Sequence, residues 1–474
     1  MAYLKMEESK FHSSISRRDF MKSLGLAGAG ISGIMATTPA FHDLDELAAG
    51  ANTHLYKKWW QQERDYEDLT TPIDWSIFKQ YDTRKLYSMP GEIYKRQADE
   101  RRQRQLDGIN APIPGSTLRD LALDEATYEN YNKQYLGWQG NTLTSPPAYR
   151  GASGQWQGTP EENLQMMQAA AHLYGAPRLG AIEVNDHTKR LFDLGTTVWE
   201  DIDTGFQDSQ GVYHIPTKCR WIVTWIVKQN YAQSLYSLRT NEGDPWRNKV
   251  FELGQVARNA SYSHAPQIRW NITGFLHGLG YAALQPDTRA NVPFGLFSGL
   301  AEQGRTAHSC SPDYGLAIRY IDWAITDLPL QPTKPIDAGV LEFCKSCKRC
   351  AEVCPSGALS LADDTSWDVA GEWNRGGFKG WHQHWQKCAE WGGPHDCSNC
   401  QLSCPFNHPP EAAIHELARA TIGTTPVLNS FFANMDRTFG YARQRSPEEL
   451  TGWWNRNLAT WPYDELKGFG VKDW

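Results

Sequence analysis

Cys344-Lys345-Ser346-Cys347-Lys348-Arg349-Cys350-Ala351-Glu352-Val353-Cys354-Pro355 is answered further on by Cys388 and by Cys397-Ser398-Asn399-Cys400-Gln401-Leu402-Ser403-Cys404-Pro405. Three thiolates at every-third spacing wrap one cubane, and the fourth Cys, followed by Pro, reaches the neighbouring cluster. The swapped reading puts Cys344, Cys347, Cys350 and Cys404 on one [4Fe–4S] cluster and Cys354, Cys388, Cys397 and Cys400 on the other. The second run is irregular, because Cys388 stands well away from Cys397. Zinc or disulfides are the competing readings. Zinc sites use isolated Cys pairs and disulfides need no Cys-Pro ending, whereas soft thiolate sets of this kind select iron and sulfur.

Composition bounds the remainder. The chain has 474 residues and is 40% hydrophobic, enough for a sizeable core in two or three domains. Its formal charge of −7 argues against broad nucleic-acid binding. Of its 10 Cys, only Cys219 and Cys310 lie outside the two runs, and both read as core thiols. The 20 Trp and 20 Tyr suit rigid apolar pockets, interfaces or plain core packing.

Ser16-Arg17-Arg18-Asp19-Phe20-Met21-Lys22, followed by the weakly apolar stretch Ser23 to Phe41, reads as a twin-arginine leader cleaved between Ala36 and Ala49. The stretch lacks the Leu, Ile and Phe density of a membrane span. Export of an already folded, cofactor-loaded protein follows, with the mature chain at the outer face of the cytoplasmic membrane of a bacterium or archaeon. Four regions result: a leader over 1–45, a body over 46–335, a cluster module over 336–415 and an aromatic-rich extension over 416–474.

Within the body, Tyr94 to Arg104 reads as a solvated helix. Thr159-Pro160-Glu161-Glu162 is an N-cap, N1 proline and capping box that opens a helix through Met166, Met167, Ala170 and Leu173. Strands are expected at Leu179 to Val184, Trp221 to Val227, Tyr281 to Leu284 and Ala317 to Leu328. Helices are expected from about Gln267 to Gly278, with Ile268, Ile272, Phe275, Leu276 and Leu279 on one face, and from Phe294 to Gln303. Beyond the clusters, Pro410 to Ala420 and Thr425 to Thr438 read as helices. Phe431, Phe432, Tyr441, Trp453, Trp454, Trp461 and Trp474 then cover the cluster module or close a pocket. The alternation of helices and strands suggests layers built around one sheet.

The order of features resembles the corrinoid-dependent respiratory reductive dehalogenases. The resemblance rests on the leader, Phe275-Leu276-His277-Gly278-Leu279-Gly280-Tyr281, Ser298-Gly299-Leu300-Ala301-Glu302-Gln303-Gly304-Arg305, Pro312-Asp313-Tyr314-Gly315, Thr326-Asp327-Leu328-Pro329-Leu330 and Lys334-Pro335-Ile336-Asp337, besides the cysteines. Ala301 departs from the family, which often has Gly there. The resemblance implies an α+β fold: a nitroreductase-like corrinoid-binding body with a C-terminal bacterial two-[4Fe–4S] ferredoxin-like module. It also implies a base-off cobamide, a small organohalide substrate, a separate small membrane-anchor subunit and an upstream respiratory electron donor complex. No D-x-H-x-x-G pattern offers a His to cobalt, which agrees with a base-off cofactor. No corrinoid-contacting residue is assigned.

Reductive cleavage of a carbon–halogen bond needs two electrons and a proton. A phenol can give the proton if a cation stabilises the phenolate. Tyr262 is the expected donor, Arg319 the cation and Asn291 a pocket amide, against the plainer readings of a core tyrosine, a strand-edge charge and a turn residue before Pro293. Arg305 is the rival cation, but its position suits structural capping. An epoxyqueuosine reductase-like enzyme and a plain exported electron-transfer subunit are the alternative functions.

Overall fold

The computed structural model describes residues 57–111, 113–128, 137–140, 155–240, 251–392, 397–408 and 413–460. The leader, Trp461 and Trp474 lie outside the described residues. In the body the elements that position the site are helices α1 (Gly91–Asn110), α2 (Leu118–Tyr128) and α3 (Pro160–Leu173), strands β1 (Leu179–Glu183) and β2 (Trp221–Lys228), helices α4 (Glu252–Gly278) and α5 (Asn291–Phe297), and strand β3 (Ile318–Thr326). Helices α6 (Val340–Cys347), α7 (Trp385–Trp391), α8 (Ala413–Thr424) and α9 (Asn429–Phe439) follow.

The three strands form an antiparallel sheet in the order β1-β2-β3. Side chains alternate across it. Ile222 and Ile226 of β2, with Ile321, Trp323 and Ile325 of β3, meet Phe294 of α5 on one face. Val223, Trp225 and Val227, with Ala324, meet Ala265, Ile268, Ile272 and Leu276 of α4 on the other. Both faces are thus dry, which is why β2 reads as a continuous apolar run. Helix α3 adds Met167 to the α4 side, and its capping box forms as its sequence requires: Thr159 Oγ1 accepts from Glu162 N at 3.2 Å and Glu162 Oε2 from Thr159 N at 2.9 Å. Such a cap is worth about 1 kcal/mol.

Three sequence expectations need correction. The helix expected from Gln267 begins at Glu252 and carries Pro266 inside it. Its buried N-terminal stripe is made of Gly254, Ala257, Ser261 and Ala265, residues too small or polar to register as an apolar face. Gly254 is required there, since a Cβ would come within 2.2 Å of Ser237. Tyr281 to Leu284 is not a strand: only Leu284 bridges β3, at Ile325. The helix expected over Phe294 to Gln303 runs Asn291–Phe297, and Glu302–Gln303 instead pairs with Ser309–Cys310 as a short hairpin. Gly299 ends it, with φ of +71° and the Lys334 carbonyl 2.1 Å from where a Cβ would stand, a conformation that only Gly adopts freely.

The aromatic extension splits in two. Phe432 on α9 packs with Phe343, Cys347 and Phe406, over the cysteine module. Trp453 and Trp454 instead reach the body: their Nε1 atoms donate to Gln233 Oε1 and to Asp120 Oδ1, both at 2.6 Å. Among the described residues no helix is long and apolar enough to cross a membrane.

Candidate active site

The thiols gather in two sets, and the mutual repulsion of their thiolate forms shows which are neighbours. Cys347 feels Cys344 and Cys404, and Cys350 feels Cys344, Cys347 and Cys404. Cys388 feels Cys397 and Cys354, and Cys400 feels Cys397, Cys388 and Cys354. Cys350 also feels Cys400, where the two sets approach. The irregular Cys388 rides on its own helix, α7, ended by Gly392 at φ of +102°. Burial pushes the Cys344 and Cys388 thiols up to about 12, and lifts Cys347, Cys350 and Cys400 as well. Bare thiols so placed stay protonated, and only a bound metal draws out the thiolate. The donor chemistry fits two iron–sulfur clusters. Cys310, expected as a core thiol, lies against the first set, its sulfur 4.0 Å from that of Cys404. Cys219 is buried in the sheet core.

Two buried side chains brace the first run. The Arg305 guanidinium donates to the carbonyls of Cys344 (2.6 and 3.1 Å), Ser360 and Ala362 (both 2.7 Å) and lies over Trp381. Glu302 Oε1 accepts from the backbone N–H groups of Ala338 (2.7 Å) and Val340 (3.2 Å) at the start of α6. Burial, then Asp337, pushes its carboxyl up to about 7.

Tyr262 and Arg319, far apart in sequence, come together. Helix α4 presents Tyr262 towards the start of β3, where the β2–β3 register slips: Val227 pairs with Tyr320 but Lys228 with Ile318. Arg319 is therefore the extra residue of a β-bulge, and a bulge re-aims the side chain it carries. The guanidinium of Arg319 stands 5.1 Å over the Tyr262 ring, and the Tyr320 ring lies 5.9 Å from it. Arg319 Nη1 donates to Gln229 Oε1 at 3.2 Å, while its Nε is buried without a hydrogen-bond partner. Asn291 is committed elsewhere: its Nδ2 donates to the Ile321 carbonyl at 2.8 Å, tying α5 to β3.

Arg258 and His308 were not anticipated. Arg258 precedes Tyr262 by one helical turn, a spacing that shares a face and could have flagged it. Desolvation, then Arg319, brings its guanidinium down to about 10. His308 sits on the Glu302–Cys310 hairpin, and desolvation followed by Arg319 brings its imidazole down to about 4. Yet Arg258 is only half-buried and His308 is exposed. Both feel Arg319, and their desolvation sets them in a recess of the surface, since the outer face would leave both groups hydrated. Guanidinium and imidazole groups in such a place are donors that suit a cofactor edged with polar groups. A second cavity, of about 70 Å³, lies between α8 and α9 and is walled by Phe343, Phe406, Phe432, His408 and Tyr441. It is smaller than the roughly 150 Å³ that admits benzene, so it cannot hold a corrinoid.

Helix α4 is pinned to β3 by Arg269, whose Nε and Nη2 donate to Asp322 at 3.1 and 3.0 Å. The cysteine module is stitched to the segment that leads into the same strand. Asn407 Oδ1 accepts from the backbone of Leu316 (2.7 Å) and Ala317 (3.0 Å), and Gln401 Nε2 donates to the Leu316 carbonyl at 2.6 Å.

Comparison with known proteins bears on the cysteine module and on the chain as a whole. Residues 343–407 match the 4Fe-4S double cluster binding domain. A chloroethene reductive dehalogenase of Dehalococcoides mccartyi (strain VS) is 31% identical over 96% of this chain and 99% of its own length. A trichloroethene reductive dehalogenase of another Dehalococcoides mccartyi strain is 30% identical over 94% and 98%. In structure, the chain is similar to a catabolic reductive dehalogenase, with a TM-score of 0.55 and 18% identity. It is similar also to a reductive dehalogenase said to suggest a mechanism for B12-dependent dehalogenation, with a TM-score of 0.56. Both matches cover 81% of this chain, which spans about half the length of those two proteins (50% and 49%).

Proposed function

The chain belongs to the reductive dehalogenase family, and from that membership we propose that it replaces the halogen of a small organohalide by hydrogen, using a base-off cobamide and two [4Fe–4S] clusters. The observation that carries this reading is the meeting of Tyr262 and Arg319 at the bulged end of β3, a strand whose leading segment is stitched to the cysteine module. When bound, the corrinoid supplies the cobalt chemistry that breaks the carbon–halogen bond. The chain's own groups do the rest. Cys344, Cys347, Cys350 and Cys404 hold one cluster, and Cys354, Cys388, Cys397 and Cys400 the other, so electrons arrive singly. Tyr262 gives its phenolic proton to the substrate carbon, and the Arg319 charge stabilises the phenolate left behind. The polar recess walls and their desolvation strengthen that attraction relative to water.

The relatives act on chlorinated ethenes by name, and a chlorinated substrate is the reading carried over here. Twin-arginine export, the outer face of the cytoplasmic membrane, a small membrane-anchor subunit and a respiratory electron donor belong to the same proposal, supported by the leader motif. Anaerobically purified, corrinoid-loaded protein should release halide from one class in a panel of chlorinated ethenes, alkanes and arenes, and should hold about eight iron and eight labile sulfide. Halide release from none of them, with full cofactor loading, would remove the proposal. Among the alternatives, an epoxyqueuosine reductase of Bacillus cereus matches only 28% of the chain, and a plain electron-transfer subunit has no use for the recess.

A further inference from the structure

Cys310 stands beside a set that already has its four thiolates, since the Cys-Pro ending gives the fourth place to Cys404. It is 1% exposed and closes the Glu302–Cys310 hairpin, paired with Glu302 across the ladder. Its Sγ lies 4.0 Å from that of Cys404, a residue 94 positions further along the chain. The hairpin is held in this place from two sides. At Gly304, in its turn, an added Cβ would stand 3.5 Å from the Cys310 Cβ and 3.7 Å from the Cys344 Sγ, so bare backbone lets the hairpin lie against the first run. Arg305, the next residue, donates to the Cys344 carbonyl at 2.6 and 3.1 Å. Cys310 shares its core with Leu316, Val340, Phe343 and Phe406, none of which has a side-chain acceptor. A thiol buried among apolar groups keeps its proton, and the charged groups that act on it, Cys404, Cys344 and Glu302, all oppose its ionisation.

We propose that Cys310 acts on a cluster through Cys404: its S–H donates to the Cys404 sulfur and raises the reduction potential of the cluster held by Cys344, Cys347, Cys350 and Cys404. Cys310 is thus a positioning residue and supplies no ligand to iron. This rests on the double-cluster reading above. Reduction adds one electron to the cluster, and no bond forms or breaks at Cys310, whose proton stays on its own sulfur. The added negative charge spreads onto the ligand thiolates. A donor aimed at one of them stabilises the reduced form more than the oxidised one. The electron therefore settles more readily on the cluster that this hairpin touches.

An anaerobic redox titration of the holoenzyme, followed by the electron paramagnetic resonance of its reduced clusters, tests this. Cys310→Ala should keep about eight iron and eight labile sulfide. The reduction equilibrium of one cluster should become about tenfold less favourable, the lower end of what a hydrogen bond to a charged group contributes, which is a fall of about 59 mV for one electron. The midpoint of the other cluster should stay. Cys310→Ser keeps a donor of similar size and should recover most of the fall. An unmoved midpoint in Cys310→Ala overturns the proposal. So does a rise, because a core opened to water would favour the more charged, reduced cluster, and Cys310 would then only be excluding solvent. Loss of about four iron from Cys310→Ala would make Cys310 a ligand and overturn it as well. A parent that took up no iron and sulfide would remove the double-cluster reading together with this proposal, whereas full iron with an unmoved midpoint removes this proposal alone.

Discussion

Arg305, in the turn of the Glu302–Cys310 hairpin, and Arg319, at the start of β3, spend their charges in opposite ways. Arg305 gives its donors to backbone carbonyls, whereas Arg319 keeps Nε unspent beside a phenol. Tyr262→Phe removes only the hydroxyl, so clusters and corrinoid should remain while halide release falls by about 10²- to 10⁴-fold, the contribution of a positioned acid. Full retention of rate would make Tyr262 a packing residue. Glu302 carries a second expectation. Its folded pKa of about 7 lies above the ordinary 4.5, so the folded state binds the extra proton. The associated stability is present below about pH 4.5 and lost as pH rises through about 7, amounting to about 3 kcal/mol. Glu302→Gln keeps an acceptor for Ala338 and Val340 but does not titrate. Its thermal unfolding should match the parent near pH 4.5 and occur at higher temperature than the parent at pH 8. An equal gap at both values would show that the carboxyl does not change protonation on folding.

At the scale of elements, the sequence made legible whatever had a local cause. The capping box at Thr159, the apolar run of β2 and the cysteine spacing each specify themselves within a few residues. The first half of α4 did not, because Gly254, Ala257, Ser261 and Ala265 are buried by close approach to other segments and carry no apolar period. The Arg319 bulge was equally hidden. It is a mismatch between two strands that are distant in the chain, visible only once they pair. Reading Tyr262 and Arg319 as partners rested on family resemblance and chemistry, while Arg258 needed the helix to be extended backwards. The position of α4 on β3 depends on the Arg269–Asp322 pair, whose carboxylate is 1% exposed. Arg269→Leu strands that charge and should cost about 3–5 kcal/mol, whereas Arg269→Leu with Asp322→Leu should recover much of it. Urea unfolding of the two variants checks the order, and equal losses would mean that the pair is not what pins the helix.

Taken as one molecule, the chain joins its cysteine module to the segment that carries Arg319 through a seam of hydrogen bonds. Asn407 follows the Cys404-Pro405 ending, accepts from the backbone at Leu316 and Ala317, and donates from Nδ2 to the Gln401 carbonyl at 2.8 Å. Gly315, at φ of +59°, leaves room for it, since a Cβ there would come within 2.4 Å of Asn407 Oδ1. Two residues beyond Ala317 comes Arg319, so the same short segment meets the second cysteine run at one end and the phenol at the other. Asn407→Leu is similar in size but removes the acceptor, leaving the buried Leu316 N–H unmatched at about 1–3 kcal/mol, while the Ala317 N–H keeps the Tyr314 carbonyl at 3.0 Å. The cysteines themselves are untouched, so iron and sulfide content should stay near that of the parent. The start of β3 should shift, separating Arg319 from Tyr262 and lengthening the path from cluster to recess. Reduction of the clusters by an artificial donor should therefore remain normal while a single turnover of halide release slows by at least about tenfold, the equivalent of 1.4 kcal/mol. Slow cluster reduction with a normal turnover step would locate the effect of Asn407 inside the module, and the seam would then not be what links the two sites.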